Sequence, residues 1–122
     1  MTIPITSLET GDICFVNLDT DTIANEQRGS RPCIIISKQE EVRIVVVVPL
    51  TRTMDVGRFS YTMQIKKSRL NGLDSDSVAM IFQVRSISTA RVEKKVGTLE
   101  DHYFEDMRKL LSSYLKLNSL SV

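Results

Sequence analysis

The sequence predicts a mainly β fold, a small and strongly curved antiparallel sheet or barrel closed by a C-terminal α-helix. Three observations predict it. β-Branched and alternating apolar runs fill the first three quarters of the chain, apolar residues recur at helical spacing near the end, and 122 residues suffice for one core but not for two of ordinary size. Residues 1–122 are therefore read as a single domain.

The first strand is DICFVNL at 12–18, where weak alternation means that both faces are at least partly covered. PCIIISK and VRIVVVVPL follow, β-branched runs separated by QEE, which is the pattern of two adjacent antiparallel strands in mid-sheet. A loop around TMDVG leads into RFSYTMQIKK, where Phe59, Tyr61, Met63 and Ile65 alternate with more polar residues in the period of a strand with one face on a core. NGLDSD supplies turn chemistry, and SVAMIFQVRSI reads as one further apolar strand. STARVEKKVG stays open between a short helical turn and an extended segment. In TLEDHYFEDMRKLLSSYLKL the residues Tyr103, Phe104, Met107, Leu110, Leu111, Tyr114 and Leu115 fall on one helical face. Thr98 is the expected N-cap, with Glu100 and Asp101 suiting the positive end of the helix dipole.

Composition removes several function classes. Sixteen Lys and Arg face fifteen Asp and Glu, a net charge of +1, so a role in nucleic-acid binding must rest on a local patch rather than a global field. Cys14 and Cys33 both lie in apolar stretches and read as buried thiols, and His102 is the only histidine, so no cluster is spaced to hold a metal. His102 reads as a solvated residue of the first helical turn. There is no GxSxG, Walker or Rossmann pattern, and no cofactor is expected. The N-terminus lacks the features of a secretory signal and the longest apolar run, IVVVVPL, is too short for a bilayer, so the expectation is a cytoplasmic protein without a membrane partner.

What remains is the polar stretch NEQRGSRPC at 25–33, together with PLT at 49–51. A hairpin turning at QEE brings Arg31, at the start of its first strand, and Thr51, at the end of its second, to the same end of the sheet. An arginine fork, a hydroxyl and a nearby carboxylate, Glu26, suit a phosphodiester. In RNA, a base can activate the ribose 2′-OH while fixed donors stabilise charge on the phosphorus oxygens, with no metal required. The alternatives are plain ones: Arg31 solvated at a strand start, Thr51 bonded to local backbone, Glu26 and Gln27 as ordinary loop residues. Arg52, Arg58, Lys66, Lys67 and Arg69 either add a phosphate-tracking face or are solvated surface.

In order along the chain, the blocks GDICFVNLD, EQRGSRPCIIIS, VVVPLT, GLDSDSVAM, QVRSI and VGTLED resemble those of the MazF/PemK/Kid toxins. The resemblance implies an SH3-like curved antiparallel barrel, shared with CcdB, that forms a homodimer. It also implies metal-independent, sequence-specific cleavage of single-stranded RNA, mRNA included, and silencing by a cognate MazE-like antitoxin. The positions matching the family's site are Arg31 for transition-state stabilisation, Thr51 for holding the phosphate, and Glu26 for proton transfer or loop shape. RNA contacts are expected from Gln27, Arg28, Ser30, Arg52, Arg58, Gln83 and Arg85. One departure stands out: Phe82 precedes Gln83 where many members carry an acidic residue. Loss of a general base costs roughly 10²- to 10⁴-fold unless another group replaces it. Phe82 is read as a core residue ahead of a base-stacking one. Two further readings are a CcdB-like, non-catalytic poison of DNA gyrase and a silent member that binds RNA or antitoxin without cutting.

Overall fold

The computed structural model describes residues 3–19 and 29–117. Its strands are β1 Asp12–Asn17, β2 Ser30–Gln39, β3 Ile44–Thr51, β4 Thr62–Ile65, β5 Ser77–Met80, β6 Arg85–Ser88 and β7 Val92–Thr98, and the helix α1 spans Asp101–Tyr114. All pairings are antiparallel, in the order β4-β5-β3-β2-β1-β7 with β6 also on β3. The sheet curves but is not closed, since among the described residues β4, β6 and β7 each pair along one edge only.

The β2–β3 hairpin is the centre of the sheet because its β-branched side chains have apolar partners on both faces. Ile34, Ile35, Val45, Val47 and Val48 are fully buried, each burial contributing roughly 1.5–3 kcal/mol relative to exposure. The hairpin closes through a 3₁₀ turn at Glu40–Val42 and a left-handed Arg43, φ 56°. Strand alternation then sends successive residues to different cores. Ile13, Ile34, Val48 and Leu50 pack under α1 with Met107 and Leu111, whereas Cys14, Val16, Cys33, Ile35, Val45 and Val47 form a second cluster with Ile87 and Val92.

Several boundaries differ from the sequence expectation, each for a physical reason. RFSYTMQIKK forms a strand only from Thr62. A 3₁₀ turn at Met54–Arg58 and a positive φ at Tyr61 precede it, leaving Phe59 51 % exposed. SVAMIFQVRSI is two strands split by a 3₁₀ turn at Ile81–Gln83, because the outer edge of β3 is divided. Leu50 and Thr51 pair with β5, and Ile44 to Val47 pair with β6. STARVEKKVG contains both of its alternatives, a 3₁₀ turn at Thr89–Arg91 and then β7. The N-cap of α1 is Glu100 rather than Thr98. The backbone N–H groups of Thr98 and Leu99 donate to the Leu70 and Gly11 carbonyls, which keeps them with the sheet.

The segment between β4 and β5 lies directly on β7. Gly72 has φ +68°, and a Cβ there would strike the Val96 carbonyl; a Cβ on Gly97 would strike the carbonyls of Asn71 and Leu70. Both obstacles are backbone and cannot swing aside. Gly97→Ala is therefore expected to lower stability by about 2–4 kcal/mol, read as a reduced urea midpoint with an unchanged slope.

Candidate functional site

A groove of about 550 Å³ opens where β2 begins and β3 ends. Cys33 pairs with Pro49, so continuing the register by two residues puts Arg31 opposite Thr51. Both residues line the groove, with Ser30 and Arg52 beside them. Phe15, Pro32 and Leu50 also line it. They share strand parity with Ile13, Ile34 and Val48 of the helix-side core, so the groove continues that face past the last covered residues. One wall is Gly72 to Ser75 and the other is Lys94 to Val96 of β7.

The polar contacts at this end are few and specific. Thr51 Oγ1 accepts a hydrogen bond from the Thr53 N–H at 3.2 Å, which leaves the hydroxyl proton for another acceptor. Ser30 Oγ donates to Glu93 Oε2 at 3.1 Å. Asp12 is buried, accepts from the Glu9 N–H at 2.9 Å and pairs with Lys95 Nζ at 3.1 Å. Lys94 Nζ lies 5.2 Å from the centroid of the Phe15 ring. Among the described residues lining the groove, Arg31, Arg52, Lys94 and Lys95 outnumber Asp74, with Asp12 on Lys95 and Glu93 on Ser30 beside it, a local excess of positive charge in a nearly neutral chain.

A buried asparagine fixes the loop wall. Asn71 is fully buried; its Oδ1 accepts from the Ser68 and Leu73 N–H groups at 3.0 and 3.1 Å, and its Nδ2 donates to the Lys66 carbonyl and Glu100 Oε1 at 3.0 and 3.1 Å. Ser68 Oγ donates to Glu100 Oε2 at 2.6 Å. Partial burial would raise the Glu100 carboxyl. Hydrogen bonds from Ser68, its own backbone N–H and Asn71, with His102 nearby, outweigh burial and hold it below its ordinary value.

The other expected residues fall elsewhere. Arg58 does not line the groove; it pairs with Asp55 at 3.4 Å and lies over the Phe59 ring. Gln83 sits in the turn after β5 and Arg85 opens β6 opposite Val47, and neither lines the groove. Glu26, Gln27 and Arg28 lie outside the described residues. Phe82 is half-buried in the same turn as Gln83, where its carbonyl accepts from the Tyr114 hydroxyl, and it belongs to neither core cluster. Cys14 and Cys33 are buried free thiols facing each other across β1 and β2. Burial pushes them up to about 11 and about 12, despite the positive charges of Arg31 and Arg85 near Cys33.

Sequence reasoning missed Phe15, Asp74, Ser75, Lys94 and Lys95 as groove residues. Phe15 continues the alternation begun at Ile13, and that signal was readable. The lysines were not, because their position depends on the pairing of β7 with β1, which carries register shifts on both sides of the Cys14 and Phe15 pairs. Among the described residues, no group of three or more His, Cys, Asp or Glu could hold a metal ion, and no helix is long and apolar enough to cross a membrane.

The family described as PemK-like, MazF-like toxin of type II toxin-antitoxin system matches residues 9–115. Endoribonuclease MazF of Staphylococcus saprophyticus is 26% identical over 113 residues, 90% of this chain and 92% of that protein. Endoribonuclease EndoA of Bacillus subtilis is 26% identical over 110 residues, covering 88% and 93%. In fold, the chain is similar to the crystal structure of MazF from Deinococcus radiodurans, with TM-score 0.74, 18% identity and coverage of 89% and 96%. It is also similar to a mycobacterial endoribonuclease solved in complex with its cognate antitoxin, with TM-score 0.67, 15% identity and coverage of 91% and 97%.

The Glu100 network has a pH signature. Because this carboxyl titrates lower in the folded chain than in the unfolded one, its contribution is fully present above the unfolded value, about 4.3, and is lost as pH falls through the folded value. Glu100→Gln is expected to lower stability at pH 7 by about 1–2 kcal/mol and to flatten the loss of stability below pH ~5, as measured by thermal melts across pH.

Proposed function

We propose, from a chain that belongs to the PemK-like, MazF-like toxins of type II toxin-antitoxin systems, that it is a metal-independent, sequence-specific endoribonuclease of single-stranded RNA. The observation that carries this reading is the convergence of Arg31 and Thr51 in one groove with a local excess of positive charge. The named relatives, both endoribonucleases, support it, and they do not favour a CcdB-like gyrase poison.

The chemistry follows from the groups present. A base removes the ribose 2′-OH proton, the 2′-oxygen bonds to phosphorus, the bond from phosphorus to the 5′-oxygen breaks, and a proton reaches that leaving oxygen. The products are a 2′,3′-cyclic phosphate and a 5′-hydroxyl. Arg31 offers a guanidinium to the charge that grows on the non-bridging oxygens, and Thr51 donates its hydroxyl proton to one of them. Glu26 remains the base expected from sequence. Asp74 is the second candidate, because it is the carboxylate among the described groove residues that has no ion pair there.

The active form in this reading is a cytoplasmic homodimer. Its partner is a MazE-like antitoxin whose acidic segment covers the cationic groove, as electrostatic complementarity favours. Arg52 and Ser30 contact the RNA backbone beside the scissile phosphate. Arg58, Gln83 and Arg85 contact RNA away from the groove, and Gln27 and Arg28 lie outside the described residues.

Purified protein incubated with a long single-stranded RNA in EDTA is expected to cut at discrete short sequences, mapped by primer extension. Arg31→Ala and Thr51→Ala, folded by circular dichroism, should each lower the rate by roughly 10²-fold or more. The acidic limb of the pH–rate profile identifies the base: it disappears in Glu26→Gln or in Asp74→Asn, whichever group accepts the proton. Absence of cleavage by folded wild type would overturn the ribonuclease reading.

A further inference from the structure

We infer that Phe15, with Pro32 beside it and Lys94 over its ring, forms a subsite that stacks the unpaired nucleobase next to the phosphate held by Arg31 and Thr51. The inference rests on the ribonuclease reading for the identity of its ligand, and on four observations of this chain for its place.

First, Phe15 has the parity of the covered residue Ile13, yet it lies beyond the helix-side core and lines the groove. A large apolar ring on a groove wall, covered on that side only by a flexible lysine, is a stacking surface. Second, the register pairs Phe15 with Pro32 on one side and with Lys94 on the other, giving the ring a rigid apolar neighbour and a cationic one. Third, the Lys94 ammonium lies 5.2 Å from the ring centroid and makes no ion pair among the described residues, whereas Lys95 is held by Asp12. A base that stacks on this face displaces the ammonium to its own edge, where keto oxygens are the matching acceptors. Fourth, Ser75 Oγ is a buried polar atom with no hydrogen-bond partner among the described residues, and Ser75 lines the same groove.

Distance joins this surface to the phosphate site. Pro32, opposite Phe15, directly follows Arg31, and neighbouring strands lie about 4.8 Å apart, so the backbone positions of Phe15 and Arg31 are within the span of one nucleotide and both residues line the groove. Strand parity separates their roles. Phe15 and Pro32 face the groove floor, while Arg31 and Thr51 stand at the strand ends with the opposite parity. The excess of positive charge selects a polyanion as the occupant over an uncharged aromatic ligand.

The chain contains no tryptophan, so Phe15→Trp introduces a single tryptophan at the subsite, excited selectively beyond the absorption of the three tyrosines. It would be titrated with an uncleavable 2′-deoxy oligonucleotide carrying the mapped cut site and with the same strand made abasic beside the scissile phosphate, or, where no cut is found, with a mixed-sequence strand and its fully abasic equivalent. Phe15→Leu, which keeps the apolar volume and removes the ring face, would be compared with wild type in cleavage of the corresponding RNAs, with melting curves confirming the fold.

Quenching by the intact strand and not by the abasic one is expected, with kcat/KM roughly 10- to 100-fold lower in Phe15→Leu. The abasic substitution should cost wild type a similar factor and cost Phe15→Leu little, since both remove the same contact. Equal abasic penalties in the two proteins, with cleavage otherwise intact, would overturn the stacking subsite and leave the ribonuclease reading standing. The ring would then be available to a protein partner. Base-dependent quenching without cleavage would sustain the subsite while the ribonuclease reading fell, and a wild type that neither cuts RNA nor binds it would overturn both.

Discussion

One strand carries the architecture. β3 is hydrogen-bonded along one edge to β2, and its other edge is divided between β6 at the N-terminal half and β5 at the C-terminal half. A single straight strand could serve that edge only by running along its whole length. Instead the chain turns out of the sheet at Ile81–Gln83 and re-enters it, which bends the sheet and brings β4 and β5 away from the plane of the rest. The groove lies at the end of β3, where Leu50 and Thr51 turn from β2 to pair with β5.

The positive character of the groove is a matter of distribution, not of total charge. A chain at +1 gathers Arg31, Arg52, Lys94 and Lys95 at one end of the sheet from three separate strands or their continuations. Buried Asp12 accounts for one of these cations by fixing Lys95 in place. The loop wall opposite is equally fixed, because the Asn71 side chain satisfies backbone groups on both sides of itself and links them to Glu100 at the start of the helix. Among the described residues, both walls of the groove are therefore held by fixed contacts.

Much of this was legible in the residues. The hairpin was readable from CIII and IVVVV, whose β-branched density allows few other folds, and the convergence of Arg31 with Thr51 followed from the turn at QEE. The helix was readable from the spacing of Tyr103 to Tyr114, although its cap was not, since Thr98 is spent on the sheet. The break at Ile81–Gln83 escaped because no glycine or proline marks it, and the delay past Phe59 because alternation continues through Phe59 and Tyr61 after Gly57. They answer to tertiary pairing, which local pattern does not encode. The lysine wall escaped for the same reason, its position depending on a shifted register. The six sequence blocks resembling MazF and PemK toxins identified the family before any geometry did, and the geometry accounts for two of them: Gly97 in VGTLED and Gly72 in GLDSDSVAM make the close approach between β7 and the groove wall.

The two cysteines have a practical consequence of a different kind. Cys14 and Cys33 are buried, and burial holds both thiols protonated well above neutral pH, so neither presents a thiolate to a solution electrophile while the chain is folded. The native protein is therefore a background without reactive sulfur. A cysteine introduced on the rim of the groove would be the one site that accepts a maleimide spin label or dye, and distances from it could be followed without first removing the two that nature placed in the core.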